Sequence, residues 1–283
     1  MEFKKGLTIK PKVINSVGEV IFTDGTNDVV ANQRVCEAYG YRYNDGKGTC
    51  EAFIYNTKIN RTSNNVHNII KGSNNNTNSG TENTFVLGRN NTTFGDNKNS
   101  ILAGENNEIS SKINNAAVIS GSYSEANNQG EVVLGGGTLI DTGVVGMSQT
   151  SFIQQSGNTT GSTETSLLTQ NIPLTYIQKI ANSVIGFEAN VIGVNTGIGE
   201  GGAGQYGYVQ VKGAVKFGNG LDSTYHQTTT HIVSAEISGI NITAQMKDVT
   251  ATSFGVAVTG LEETRIQWTA DVKLWRNKIQ QTF

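Results

Sequence analysis

Short apolar runs recur through the first half of the chain, each closed by a glycine. They are Ile69-Ile70-Lys71-Gly72, Phe85-Val86-Leu87-Gly88, Ile101-Leu102-Ala103-Gly104, Val118-Ile119-Ser120-Gly121 and Val132-Val133-Leu134-Gly135. From Gly72 the glycines follow at steps of 16, 16, 17 and 14 residues. A fixed short period with turn chemistry between apolar runs predicts a stacked β-solenoid, here a short-coil β-roll. In each coil one or two side chains point inward and the glycine lets the chain turn sharply. Sixteen residues before Gly72 stands Asn56, after Phe53-Ile54-Tyr55, and Asn is the usual second choice where φ must be positive. The run Cys36-Glu37-Ala38-Tyr39 nearly duplicates Cys50-Glu51-Ala52-Phe53, so coils are expected from residue 36. Asn44-Asp45-Gly46-Lys47-Gly48 fits the tip of a β-hairpin equally well.

Between the apolar runs the chain is Asn-rich, with adjacent pairs at Asn74-Asn75, Asn90-Asn91, Asn106-Asn107, Asn114-Asn115 and Asn127-Asn128. Asn tolerates left-handed backbone and suits corners, and stacked Asn side chains form amide ladders between neighbouring strands. A disordered linker of this composition would not hold its apolar runs in register. A coil with so few inward side chains has a thin core and needs neighbours. Copies of the same chain around a threefold axis supply them, so an elongated homotrimer is expected.

After Ile172 the period becomes 2. Ile266, Trp268, Ala270, Val272 and Leu274 share one face, and Val209, Val211, Gly213, Val215 and Phe217 alternate in the same way. Further strands are expected at 183–194, 231–238, 240–248 and 254–259, which together predict an antiparallel β-sandwich. Residues 136–171 have the Gly/Ser/Thr/Gln composition of a neck. The expected organisation of this all-β chain is therefore an attachment segment over 1–35, β-roll repeats over 36–135, a neck over 136–171 and a β-sandwich over 172–283.

Composition narrows the function classes. With 21 Lys+Arg against 23 Asp+Glu in 283 residues, no electrostatic footprint points to nucleic acid or to an anionic membrane. No apolar run is long enough to span a bilayer. The start, Met1 to Lys10, lacks the apolar core of a signal peptide, so the chain is expected to stay in the cytoplasm where it is made. Cys36 and Cys50 match no zinc spacing and are expected to be two small buried thiols, although equivalent places in adjacent coils would make a bridge geometrically possible.

Candidate chemistry is sparse. Gly197-Ile198-Gly199-Glu200-Gly201-Gly202 fits G-x-G-x-x-G, but the continuation Gln205 to Val211 reads as a strand where a dinucleotide site needs a helix. The glycines are expected to form a hairpin loop. His226 and His231 fall on opposite faces of any strand, and His67 stands apart; a trimer could gather them on an axis, but loop histidines are the simpler expectation. No carboxylate pair or nucleophile–base pair stands out, so no catalytic, cofactor or metal residue is assigned and no enzyme is expected. The glycines Gly72, Gly88, Gly104, Gly121 and Gly135, with Asn56, are the expected repeat turns. Tyr206, Tyr208 and Trp275 are candidate surface groups for stacking on sugars, Trp268 being expected in the core.

The runs Asn99-Ser100-Ile101-Leu102-Ala103-Gly104 and Asn115-Ala116-Ala117-Val118-Ile119-Ser120-Gly121 resemble the head repeats of trimeric autotransporter adhesins, which form left-handed parallel β-rolls. Residues 184–193 and 265–272 resemble the C-terminal β domain of tailed-phage fibre proteins. The second resemblance implies a structural head or tail fibre of a virion, assembled in the host cytoplasm. Its N-terminus would dock to capsid or tail proteins and its C-terminal domain would face outward. The alternatives are an adhesin tip that binds a host-surface glycan and a polysaccharide-degrading tailspike.

Overall fold

The computed structural model describes residues 3–15, 18–52, 67–137, 144–197, 202–233 and 243–279. The chain divides into two compact units, Met1–Ile59 and Asn60–Phe283.

In the first unit, β1 (Lys10–Ile14), β2 (Val20–Thr23) and β3 (Asp28–Val29) form an antiparallel sheet. It is followed by α1 (Gln33–Ala38) and a hairpin of β4 (Arg42–Asn44) and β5 (Thr49–Glu51). Asn32 ends the extended backbone and starts the helix, its side chain accepting the N–H of Val35 at 3.0 Å. The near-duplicate runs at Cys36 and Cys50 are thus one helix and one strand, and the coils expected from residue 36 are not present over 36–52. Local capping, which a repeat count does not register, decides the difference. Cys36 and Cys50 are joined in a disulfide rather than held as thiols. The bond sits in a core of Val20, Phe22, Ala31 and Ala52, with Tyr39 and Tyr41 packed edge-on to Phe22. Closing this 14-residue separation contributes about 3 kcal/mol, a large share for so small a core.

In the second unit the β-roll runs as expected. Its long strands are β6 (Ile69–Ser73), β8 (Phe85–Arg89), β10 (Ile101–Glu105), β12 (Ala117–Ser122) and β14 (Val132–Gly137). They alternate with two-residue strands β7 (Asn76–Thr77), β9 (Thr92–Thr93), β11 (Glu108–Ile109) and β13 (Glu125–Ala126). All pair in parallel with the neighbouring coil: Ile69 opposes Phe85, which opposes Ile101. Val86, Leu102, Val118 and Val133 form one inward row, fully buried.

Two stacks hold the corners. Gly72, Gly88, Gly104 and Gly121 have φ between 103° and 122°. A Cβ on Gly88 would lie 1.9 Å from the carbonyl oxygen of Gly104, so no side chain fits. Beside them Asn75, Asn91 and Asn107 are buried. Asn91 Nδ2 donates to the carbonyls of Leu87 and Gly104 at 2.9 Å each, and its Oδ1 accepts the N–H of Asn107 at 3.1 Å. Asn74, Asn90 and Asn106 take the outer left-handed corner, with φ of 57°, 57° and 54°. The amide ladder is what makes a polar interior tolerable, because the side chains of Asn75, Asn91 and Asn107 are each paired.

Past Gly137 the sheet continues, now antiparallel. Its further strands are β15 (Ser148–Thr159), β16 (Glu164–Ser166), β17 (Leu168–Thr169), β18 (Ile177–Gln178), β19 (Ser183–Asn195), β20 (Tyr206–Phe217), β21 (Ser223–Val233), β22 (Thr243–Thr250), β23 (Ser253–Thr259) and β24 (Ile266–Lys278). One sheet runs β21-β20-β19-β24-β15-β14-β12-β10-β8-β6, so roll and C-terminal layers share it. Residues 148–159, expected within a neck, are instead its junction strand: β15 pairs β14 on one side and twelve residues of β24 on the other. Its Ser, Thr and Gln read as linker, yet they alternate with the buried Ser151 and Ile153 and pack as a strand. β16, β18 and β22 pair with β23 in a second layer. The apolar core between the layers includes Phe187, Val211, Phe217, Phe254, Val256 and Trp268. β19 and β20 form the expected hairpin without a following helix. β21 was missed in part because Ser223 to Thr230 is polar on both parities; the expected strand at 231–238 falls mostly outside the described residues.

Candidate interaction face

Adjacent residues of a strand point to opposite faces, so each apolar run puts one side chain inside and leaves others outside. Ile69, Phe85 and Ile101 stand in one outward row, each more than a third exposed. The row continues through Ala117 and Val132 to Phe152. In the next outward row Ile119 and Leu134 are as exposed, and beyond Thr150 that row reaches Trp275. The stripe crosses six strands, about 24 Å at the inter-strand spacing. A contiguous apolar patch of this extent marks a contact surface.

Beyond β15 the Phe152 row turns polar, although Val184, Ile192 and Val194 stay exposed elsewhere on the face of β19. Lys273, Glu188 and Lys212 continue the Phe152 row. Glu188 lies 3.6 Å from Lys212, Gln210 donates to Glu188 and Asn190 at 2.9 and 2.8 Å, and Tyr208 donates to Asn190 at 2.9 Å. Along that row the chemical character therefore changes at the strand where the pairing changes from parallel to antiparallel.

Two charged clusters lie elsewhere. Glu125, on β13, meets Lys278 at 2.9 Å and Arg276 at 3.5 Å, both on β24. Burial works against its charge, but the two cations outweigh it and hold its carboxyl below the ordinary range. Glu108, its partner on the ladder, is pushed up by burial and by the charge of Glu125. These residues tie the last coil to the C-terminal strand. The second cluster is Asp248, which takes Lys179 at 2.8 Å, Ser223 at 2.5 Å and Tyr225 at 2.6 Å. Burial opposes its charge, but these bonds keep its carboxyl low, while burial and the bond to Asp248 push the Tyr225 phenol up. Both oxygens of that carboxylate are engaged, so it clamps β22 to β21.

Gly72, Gly88, Gly104 and Gly121 occupy the corner stack; Gly135, with φ 64°, has nothing within 4 Å of a built Cβ, because the chain leaves the roll there. Asn56 lies outside the described residues. Trp275 is exposed on the outer face, whereas Trp268 is fully buried and donates to Thr159 at 2.9 Å. Tyr206 and Tyr208 share that outer face, but the structure does not gather them with Trp275. Tyr206 opposes Val194 and Trp275 opposes Gly186, eight residues apart on β19, or about 27 Å. His226 and His231 both lie on β21. Among the described residues no group of three His, Cys, Asp or Glu is gathered for a metal, and no helix is long and apolar enough to cross a membrane. The exposed stripe was missed in the sequence, although two consecutive apolar residues per run already required one to face out.

No known protein family matches this sequence, and no curated protein does. Among solved structures the chain is similar to the tailspike protein gp49 of Acinetobacter baumannii bacteriophage Fri1, a capsular polysaccharide depolymerase, at 9% identity and a TM-score of 0.31 over 74% of this chain and 37% of that one. It is similar to the tailspike protein of Acinetobacter baumannii phage AM24 at 9% identity and a TM-score of 0.26, over 70% and 34% of the two chains. The tailspike protein of Acinetobacter phage vB_ApiP_P1 gives 9% identity and a TM-score of 0.22, over 69% and 40%. This chain thus spans well under half the length of each. The expectation that no enzyme is present is corrected by this finding, since one of these proteins is itself a depolymerase. Scores this low assign no activity, substrate or assembly to the present chain.

Proposed function

We propose that this chain is a phage fibre or tailspike component that self-associates as a homotrimer through the apolar stripe and carries its C-terminal layers outward. The observation that carries the reading is the exposed row of Ile69, Phe85, Ile101 and Phe152 on a continuous sheet face. Three copies about one axis bury that row against itself and thicken a core only one side chain deep. The resemblance of the coils to trimeric β-roll heads supports the same stoichiometry. The glycine and amide stacks supply the resistance to unfolding that a virion appendage needs, and the disulfide-stapled first unit is the segment assigned to docking on capsid or tail proteins.

Light scattering after size exclusion tests the reading. The expected mass is about 91 kDa, three times 30.2 kDa, and Phe85→Glu with Ile101→Glu shifts it to the single chain. A mass of about 30 kDa for the unaltered protein overturns self-association.

A further inference from the structure

A second feature of the outer face lies at the far end of β15, six residues and about 20 Å along the strand from Phe152. There a cavity of about 440 Å³ is lined by Ser156, Asn158, Asn171, Arg265 and Gln267, within the size range of small-ligand sites. In the interior of this unit the amides of Asn75, Asn91 and Asn107 are committed to the corner ladder, that of Gln149 to Glu125, and that of Gln155 to Leu167 and Val256. Around this cavity the polar side chains are instead exposed: Asn158, Asn171, Arg265 and Gln267 all lie at the surface. Among the described residues the side chains of Asn158, Asn171, Arg265 and Gln267 make no hydrogen bond or ion pair. A guanidinium and three amides therefore line one cavity with their donors and acceptors open to a ligand from solvent.

Register continues the site across the sheet. Asn158 opposes Gln267, Gln267 opposes Val194, and Val194 opposes Tyr206. Val194 and Tyr206 are both more than a third exposed. The strip from Asn158 to Tyr206 is about 14 Å long at the inter-strand spacing, and it ends in an aromatic ring beside an aliphatic shelf.

We propose that this strip binds an acidic oligosaccharide, with Arg265 on a sugar carboxylate, the amides of Asn158, Asn171 and Gln267 on hydroxyls, and Tyr206 stacked on a further ring. A planar guanidinium matches a carboxylate with two parallel hydrogen bonds. An amide offers donor and acceptor together, the pairing that neighbouring hydroxyls require. Tyr presents a rigid amphipathic surface that loses little conformational freedom on binding. A single arginine suits a chain with spaced carboxylates rather than a dense polyanion. The inference does not depend on the apolar stripe.

Affinity electrophoresis of the full-length protein tests it, in native gels containing polygalacturonate, alginate, hyaluronate, neutral dextran or poly-glutamate. At least one acidic polysaccharide is expected to retard the protein, while dextran and poly-glutamate do not. Arg265→Gln is expected to weaken retardation at least tenfold and Tyr206→Ala several-fold, with the solution mass unchanged. Lys112→Gln, a charge removed elsewhere, leaves retardation intact. Retardation by none of the acidic polysaccharides, equal retardation by poly-glutamate or dextran, or an unaffected Arg265→Gln overturns the proposal. The mass measurement is separate: a trimer that is not retarded refutes the sugar site alone.

Discussion

The β-roll and the C-terminal layers share one sheet, yet they are stabilised by opposite chemistries. In the roll each coil contributes about one large apolar side chain to the interior, and much of the remainder is Asn, Thr and Ser. In the layers Phe187, Phe217, Phe254 and Trp268 fill a two-sided apolar core, and Gln155 is a buried amide there, satisfied by Leu167 and Val256. Burial of an apolar side chain stabilises by roughly 1.5–3 kcal/mol and tolerates small misfits, because the force has no direction. A paired buried amide contributes about 1 kcal/mol but costs 1–3 kcal/mol when left unpaired. The roll is therefore intolerant of geometric error in its backbone, whereas the layers are sensitive to lost volume.

The largest effect expected from this difference is at the glycine stack. Gly88→Ala sets a methyl 1.9 Å from the Gly104 carbonyl, and a side chain at φ 109° is strained besides. We expect loss of more than about 4 kcal/mol, read as failure to recover folded protein or a collapse of the melting temperature. Gly135→Ala, with open space and only the strained φ, is expected to cost about 1 kcal/mol. Equal effects at the two positions would show that the stack does not control the roll.

Trp268→Ala probes the other chemistry. It empties a fully buried site and leaves Thr159 without its partner, for an expected cost of about 3–5 kcal/mol by chemical denaturation. Trp268→Phe should recover most of it. A comparable rescue by an apolar residue at Asn91 would contradict the contrast drawn above, since Asn91→Leu takes the side-chain partner from three backbone groups, the carbonyls of Leu87 and Gly104 and the N–H of Asn107.

Glu125 lies where the two regions meet, and its replacement by Gln leaves the nearly buried Arg276 without its counter-charge. The expected loss is about 3 kcal/mol at neutral pH. Its folded-state pKa lies below the ordinary 4.5, so the stabilisation is complete above that value and is lost as pH falls through the depressed value. Glu108 is raised, so its ionisation opposes folding and acid relieves it. The stability gap between wild type and Glu125→Gln should therefore close in acid; a gap that persists at pH 2 would exclude the ion cluster as its source.

The smallest effect is on the outside of the coils. Arg89 with Glu105 at 2.5 Å and Lys98 with Glu82 at 3.2 Å join successive coils, but all four side chains are more than a third exposed. Glu82→Gln is expected to cost at most about 0.5 kcal/mol, and less at high salt.

Much of this was legible in the chain and some was not, for identifiable reasons. The 16-residue step placed Gly72, Gly88, Gly104 and Gly121 correctly because each coil repeats one local solution. The parity rule separated Trp268 from Trp275 for the same kind of reason. The rule failed at Ser223 to Thr230, where β21 has polar residues on both faces and satisfies its neighbour with side chains: Gln227 and Thr229 bond the backbone of Met246 and Ala244. Repetition also misled at Cys36 and Cys50, whose similar neighbours fold as a helix and a strand because Asn32 caps one of them.

By itself, the sequence determined the coil length, the glycine and Asn corners and the alternation of the long strands, since these depend on φ, side-chain parity and contacts one coil away. The tertiary structure alone decided that the Ser- and Gln-rich stretch 148–159 becomes the junction strand, that the two cysteines bond, and that Asn158, Asn171 and Arg265 surround one cavity. It also decided that Glu125 meets Lys278 across 153 residues. Such pairings are chosen by which strand edges remain open after the coils have stacked, and no local period carries that information.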